Sequence, residues 1–216
     1  MKAFKAIIFD LDGVICSTDE YHYQAWKHIA DELDIPFDRT VNNRLRGVSR
    51  MASLEIILEQ NPGAPFSDAE KLSLATDKNE IYKELLLQMS EADLSDEVRQ
   101  TLLALRGKGL KLAIGSSSKN TPLILSRIGL GSFFDAVSDG NNITHSKPHP
   151  EVFLKAAEFL GMDPKDCLVV EDAVAGAEAG HAAGMKVACV GDAAQKGAGD
   201  WNLASFRELE KIVEGQ

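Results

Sequence analysis

The chain is short of cysteine, of aromatic side chains and of positive charge, and it has no long apolar run. Its three cysteines, Cys16, Cys167 and Cys189, show no C-x-x-C spacing, which excludes a legible disulfide framework or cysteine zinc site. An odd number of scattered thiols fits reduced, mostly buried cysteines and a cytoplasmic location. Lys and Arg number 23 against 33 Asp and Glu, for a formal net charge of −10. That balance argues against a general nucleic-acid or anionic-membrane surface. No stretch approaches the ~20 apolar residues of a membrane helix. Asp10 and Asp12 interrupt the one early apolar run, so no signal peptide is read there. His28, His145, His149 and His181 show no metal-ligand spacing. Repeats and low-complexity tracts are also absent. What is left is 216 residues, 44% hydrophobic and 26% charged, enough for one large domain or a domain with a smaller insert.

The most informative residues stand at the end of the first apolar run. Ala6-Ile7-Ile8-Phe9 is short, continuous and apolar, as in a fully buried strand of a parallel sheet. Asp10-Leu11-Asp12-Gly13-Val14 follows at the carboxyl end, where open α/β sheets bind ligands. Asp10 can attack phosphorus, Asp12 can move a proton for the departing or entering hydroxyl, and a divalent metal can screen the charges. Gly13 lets the chain turn sharply or lets the backbone approach another group closely. The bland alternative is an aspartate pair that caps a helix or ends a strand. Cys16, close by, is read as packing rather than catalysis.

Three later strand ends extend the pattern. Leu110–Ile114 ends in Gly115-Ser116-Ser117-Ser118-Lys119-Asn120, where hydroxyls, backbone N–H groups at a helix start and a lysine suit a phosphate. Ser146-Lys147-Pro148-His149-Pro150 is stiffened by two prolines and starts a helix at Glu151, with Lys147 held just before them. Cys167–Val170 is another buried strand, ending in Glu171-Asp172, hard oxygen ligands of the kind that suit Mg²⁺. Against these stand a serine-rich helix cap and a solvated lysine.

Strands are expected at about 5–9, 110–114, 135–138, 167–170 and 186–190, and helices at about 121–129, 151–160 and 173–183. Alternation of this kind predicts an α/β fold, a doubly wound parallel sheet with a Rossmann-like core. Residues 19–90 are helical in pattern throughout, too long for one crossover. They read as an inserted α-helical cap, with residues 1–18 and 91–216 as the core domain. Gly176, Gly180 and Gly184 mark a small-residue helix packed on the sheet and ended by Gly184. Phe206 to Val213 reads as an amphipathic C-terminal helix.

Taken in order, Asp10-Leu11-Asp12-Gly13-Val14, Ser116, Lys147 and Glu171-Asp172 resemble the haloacid dehalogenase superfamily of phosphotransferases. The resemblance implies that Asp10 is the nucleophile and forms an aspartyl phosphate. It implies that Asp12 is the general acid/base and lends a backbone carbonyl to Mg²⁺. Ser116 and Lys147 would hold the transferring phosphate, Asp172 would ligate the metal, and Glu171 would act on it directly or through water. Within the superfamily, the cap is similar to that of the β-phosphoglucomutase family. The likeness rests on Gly47-Val48-Ser49-Arg50, Ser53, Lys78-Asn79, Thr18, His22 and Trp26, with Ser116 to Asn120 in the core. Arg46 departs from the usual lysine there, and Ser117 from the usual alanine.

That closer likeness implies interconversion of β-glucose 1-phosphate and glucose 6-phosphate through a bound glucose bisphosphate, by a monomer acting on small-molecule sugar phosphates. One phosphate site would be the core set. The other would be Arg50 with Ser118, Lys119 and Asn120. Thr18 and His22 would sit at a hinge and control Asp12. Read without the resemblance, the 46–50 segment is a helix start capped by Ser49 with solvated arginines, and His22 a packed or solvated helix histidine. Rival functions are a sugar-phosphate phosphatase using the same aspartates, a mutase for another sugar, and a non-enzymatic phosphosugar-binding module.

Overall fold

The computed structural model describes residues 4–45, 48–61, 63 and 65–215. Two candidate site residues, Arg46 and Gly47, lie outside the described residues. The chain forms two compact units, one of Met1–Ser17 with Ser90–Gln216 and the other of Thr18–Met89.

The larger unit is built on a parallel sheet of β1 (Ala6–Phe9), β2 (Lys111–Gly115), β3 (Ala136–Ser138), β4 (Cys167–Glu171), β5 (Lys186–Cys189) and β6 (Trp201–Asn202). The order is β3-β2-β1-β4-β5-β6, so successive strands are added on one side of β1 and then on the other. All of β1 is buried, as a strand covered on both faces must be. Register sets the site: Phe9 pairs with Ile114 on one side and Val170 on the other. Asp10, Gly115 and Glu171 therefore leave the sheet side by side at its carboxyl edge, on either side of the point where the winding reverses.

The smaller unit contains α1 (Asp19–Glu32), α2 (Arg39–Asn43), α3 (Arg50–Leu58) and α4 (Asp68–Leu86). Helix α4 packs against α1 and α3. The apolar stripe of Trp26, Ile29 and Ala30 meets Leu54, Ile57 and Ala75 to form that unit's own core. Ser67 opens α4 with a capping box, its side chain and that of Glu70 each accepting the other's backbone N–H.

In the larger unit the helices are α5 (Asp96–Gly107), α6 (Thr121–Arg127), α7 (Glu151–Leu160), α8 (Val174–Ala182), α9 (Gly191–Gln195) and α10 (Leu209–Glu214). Strand side chains alternate between faces. Ile8, Ala113, Val169 and Val187 meet Phe153 and Ala156 of α7 and Ala177 and Ala179 of α8. On the other face Phe9 lies against Phe206, with ring centroids 5.9 Å apart, and α5 packs on α10. Gly180 allows α8 to sit close to the sheet, since a Cβ there would be 2.7 Å from Val187.

Several limits move. The strand expected at 110–114 is Lys111–Gly115, and the helix expected to 129 ends at Arg127, before Gly129 at φ +77°. The single C-terminal helix is a 3₁₀ turn, Phe206–Glu208, followed by α10. Helices α5 and α9 and strand β6 were not anticipated. Helix α5 has its own signal, a Ser95 cap followed by Val98, Leu102 and Leu105. Strand β6 is only two residues long, so its pairing with Ala188 and Cys189 leaves no periodic trace.

Candidate active site

Asp10 continues β1, its backbone N–H donating to Val170 O at 2.9 Å, and its residue is 8% exposed. Lys147 Nζ donates to Asp10 Oδ1 and to Glu171 Oε1, each at 2.5 Å. The lysine is therefore not a solvated loop residue, as its side chain is only 9% exposed. Pro150 stands at the N-terminal cap of α7, whose Phe153 ring centroid lies 4.8 Å from Lys147 Nζ. Glu171 is pinned from both ends: its Oε2 accepts the backbone N–H groups of Asp172 at 2.9 Å and Ala173 at 3.0 Å.

Charge in this cluster is uneven. Burial, and then the neighbouring Asp10, Glu171 and Asp12, push the Asp172 carboxyl up to about 8. Burial raises Asp10 as well; Lys147 pulls it down, and Glu171 pushes it up again. Burial works against the Lys147 ammonium, but Asp10 and Glu171 outweigh it and raise its pKa. Asp10, Glu171 and Asp172 each place a ligand atom within 4.8 Å of the others. Three carboxylates gathered around one lysine leave negative charge that a hard divalent cation fits.

Two glycines make room for this cluster. Gly13 has φ +83°, and a Cβ on it would fall 2.1 Å from Asp172 Oδ2, so it serves both the turn and the close approach. Gly176 is in α8, and a Cβ there would fall 1.9 Å from Glu171 Oε1. Its spacing with Gly180 was read only as helix packing; the carboxylate it accommodates could not be seen from the sequence.

The serine loop after β2 is folded on its own hydroxyls. Ser116 Oγ accepts Ser118 N–H, and Ser118 Oγ accepts Asn120 N–H, both at 3.2 Å. Ser116 is 3% exposed, Asn120 is buried at the cap of α6, Lys119 is exposed, and Ser117 Oγ is buried with no hydrogen-bond partner among the described residues. The segment after β3 backs this loop: Gly140 N–H donates to Ser118 O at 3.1 Å, and Asn141 Nδ2 to Lys119 O at 3.0 Å. A Cβ on Gly140 would lie 2.5 Å from Ser117 O. Neither Gly140 nor Asn141 was a candidate, and only the Asp139-Gly140-Asn141 turn signature hinted at them. Cys16, Cys167 and Cys189 are all buried free thiols, and burial pushes Cys167 up to about 11 and Cys189 up to about 12.

The smaller unit holds a second cluster. Ser49 caps α3, accepting Ala52 N–H at 3.2 Å, as the bland reading of that segment expected. Arg50, however, is half-buried, and its Nη2 donates to Asn79 Oδ1 at 2.8 Å. Val48 is exposed, while Ser53 is buried. Lys78 is 2% exposed, and its Nζ donates to His22 Nδ1 at 2.8 Å. That bond requires a lone pair on Nδ1, so His22 is neutral with its proton on Nε2. Burial, Lys78 and Arg50 all hold the His22 pKa well below the usual histidine value. The His22 ring stacks on Tyr82 at 4.1 Å, and Lys78 Nζ lies 5.0 Å from the Trp26 ring, which itself belongs to the unit's core. Thr18 precedes α1 and is buried.

One expectation is corrected. His145 and His149 were read as lacking metal-ligand spacing, but with Glu151 they place ligand atoms within 4.8 Å of one another. The turn before α7 folds the two histidines together, and their H-x₃-H spacing in the sequence was the signal that the reading passed over.

An acidic cluster, a lysine and a hydroxyl loop at the carboxyl edge of a doubly wound sheet define a class of phosphate-processing α/β enzymes. The sequence profile of the haloacid dehalogenase-like hydrolases matches residues 4–184, and the chain belongs to that family and is an enzyme of that superfamily. It is 44% identical to a β-phosphoglucomutase of Bacillus subtilis over 188 residues, 87% of this chain and 83% of the relative. A crystal structure of a β-phosphoglucomutase from Clostridium difficile matches with a TM-score of 0.89 at 35% identity, covering 98% of this chain and 96% of the other. A fructose-1-phosphate phosphatase of Escherichia coli is 32% identical over 85% of this chain and 95% of its own length. No helix among the described residues is long and apolar enough to cross a membrane.

Proposed function

We propose that this enzyme is a sugar phosphomutase, interconverting β-glucose 1-phosphate and glucose 6-phosphate through β-glucose 1,6-bisphosphate. The observation that carries the reading is the cation cluster of the helical unit. Arg50 is half-buried, bonded to Asn79 and close enough to Glu80 to feel its charge; Lys78 is buried and bonded to His22, which feels both cations. Two cations gathered in one unit suit an anion, and a mutase needs a site for its second phosphate where a simple hydrolase does not.

In this reading the Asp10 carboxylate attacks phosphorus of the bisphosphate, the P–O bond to the sugar breaks, and an aspartyl phosphate forms. Asp12 gives its proton to the departing sugar oxygen. Glucose 6-phosphate leaves, an incoming β-glucose 1-phosphate presents its 6-hydroxyl, Asp12 takes that proton, and the phosphoryl group passes from Asp10 to that oxygen, regenerating a bisphosphate that turns round to present its other phosphate. Lys147 and Ser116 hold the phosphoryl oxygens, and Lys147 offsets charge as it shifts off Asp10. Asp10, Asp172, Glu171 and the Asp12 carbonyl would hold Mg²⁺, which supplies charge neutralisation for the transferring group. The resemblance assigns the unreacting phosphate to Arg50, Ser118, Lys119 and Asn120. The helical unit acts as a cap that sets specificity, with Thr18, His22 and the 46–53 segment in contact with substrate. The protein works as a cytoplasmic monomer.

A second reading, a sugar-phosphate phosphatase, is favoured by the similarity to the fructose-1-phosphate phosphatase. It keeps the Asp10 step and lets water attack the aspartyl phosphate. A mutase for another sugar remains a variant of the first reading. A coupled assay with each anomer of glucose 1-phosphate, with free phosphate measured alongside, separates them. The mutase yields glucose 6-phosphate from the β anomer with little phosphate. Stoichiometric phosphate release from either anomer would establish the phosphatase.

A further inference from the structure

Histidines 145 and 149 flank Lys147 and take no part in the chemistry proposed above. Between β3 and α7 the chain turns so that their rings lie 4.5 Å apart at 33°. Glu151, the first residue of α7, completes the group. Its carboxylate is held by two backbone donors, Thr144 N–H on Oε1 at 3.0 Å and His145 N–H on Oε2 at 2.8 Å. His145 Nδ1 lies 3.1 Å from the same Oε2, and His149 Nδ1 accepts a long 3.3 Å bond from Glu151 N–H.

We propose that His145, His149 and Glu151 form a site for a borderline-soft divalent ion, with Zn²⁺ the best fit, separate from the carboxylate cluster at Asp10. The donor set decides the class of ion: two imidazoles and one carboxylate suit zinc, whereas Mg²⁺ prefers oxygen ligands only. Geometry agrees. Ligands of a tetrahedral zinc at about 2.0–2.1 Å from the metal stand roughly 3.3 Å apart. The His145 Nδ1 to Glu151 Oε2 separation of 3.1 Å is close to that value. The ion takes the place of the proton between those atoms, and that proton moves to His145 Nε2, so the ring stays neutral. His149 Nδ1 swings from its long backbone bond to become the third ligand. Water fills the fourth position.

Glu151 is oriented without the metal, since its two backbone bonds come from the loop itself. The histidines are exposed, so an ion reaches them from solvent without opening the fold. Binding grips both ends of the segment that delivers Lys147.

The test uses the full chain without a polyhistidine tag, stripped of metal and then saturated with Mg²⁺ so that the carboxylate cluster is occupied. Zn²⁺ is titrated against a chromophoric chelator, and Co²⁺ serves as a visible-spectrum probe of coordination. The expected result is one equivalent of Zn²⁺ in the wild type and in Asp172→Asn. Binding should weaken roughly a hundredfold or more in His145→Ala and in His149→Ala, beyond the 10–100-fold typical of an outer-shell change. His149→Gln, which keeps polarity and bulk, should lose the Co²⁺ spectrum as well, with unchanged circular dichroism. Absence of Zn²⁺ binding to the wild type overturns the proposal. So does an equivalent that survives both histidine changes but disappears in Asp172→Asn, which would put the zinc on the carboxylates. The outcome is independent of whether the enzyme is a mutase or a phosphatase.

Discussion

Replacing Gly176 by alanine separates two effects of opposite sign. Gly176 is the third residue of α8, and in a helix interior Gly→Ala ordinarily stabilises by about 0.5–1 kcal/mol. Here the new Cβ would lie 1.9 Å from Glu171 Oε1 and 2.0 Å from its Cδ. The carboxylate is no free end that can step aside. It accepts two backbone N–H groups and the Lys147 ammonium, and its side chain is 1% exposed. Displacing it breaks a buried ion pair, at a cost of about 3–5 kcal/mol. The net effect is a loss of about 2–4 kcal/mol, or roughly 4–16 °C in Tm at about 2–4 °C per kcal/mol for a chain of this size. Turnover should fall as well, because Lys147 is left tethered to Asp10 alone. Thermal melts and steady-state rates of Gly176→Ala report both. The control is Gly161→Ala, where φ is +66° but no atom lies within 4 Å of the new Cβ. It carries only left-handed backbone strain, about 1–2 kcal/mol, and should leave activity intact. A Gly176→Ala protein that melts at or above wild type with wild-type turnover would refute the claim that Gly176 exists to seat Glu171.

Further outcomes follow from the same geometry. Asp10→Asn should abolish nearly all turnover yet fold, because the carboxylate it removes is one that burial already disfavours; a variant with a tenth of wild-type rate would exclude covalent catalysis by Asp10. Arg50→Ala removes a charged bond to phosphate worth about 1.5–3 kcal/mol, so isomerisation should fall roughly tenfold to over a hundredfold, while hydrolysis of a small reporter ester changes little. Arg50→Lys keeps the charge but loses the planar fork, and should still impair isomerisation. Activity should vanish on chelation, return with Mg²⁺, and be inhibited by Ca²⁺, which tolerates a larger oxygen shell. Asp135 carries the pH prediction: burial alone would raise its pKa, but Leu112 N–H, Lys111 and Arg106 outweigh it and hold the value below 3.8. Its stabilisation is complete above 3.8 and disappears as pH falls through the lower folded value, so Asp135→Asn should lower stability at neutral pH, leave the acid end nearly unchanged, and thereby flatten the acid limb of a stability–pH curve.

Much of the larger unit was written locally. A four-residue apolar run, Ala6 to Phe9, reads as a covered strand, and the aspartates after it then fall at the strand's end. Pro148 and Pro150 announce the start of α7, and Ser49 and Ser67 announce the starts of α3 and α4. Each of these depends on residues within one turn or one strand of each other, which is the range over which pattern and capping act. The candidate residues Asp10, Ser116, Lys147, Glu171 and Asp172 could be named on the same grounds, because each stands at an element boundary.

Their arrangement could not be read that way. Lys147 and Asp10 are 137 residues apart, and nothing near either says that one ammonium bridges Asp10 and Glu171. Gly176 and Gly140 look like ordinary helix and turn glycines until the Glu171 carboxylate and the Ser117 carbonyl are found against them. His22 looked solvated or merely packed until Lys78, 56 residues on, was found donating to its ring. His145 and His149 were read without a ligand role despite their H-x₃-H spacing, because only the turn before α7 shows that Glu151 joins them. By itself the sequence determined the elements and the residue types at their ends, because propensity, capping and periodicity are local. Which of those ends meet, and hence which charges share one buried space and which glycines must remain glycines, was decided only by sheet order, register and packing between segments far apart in the chain.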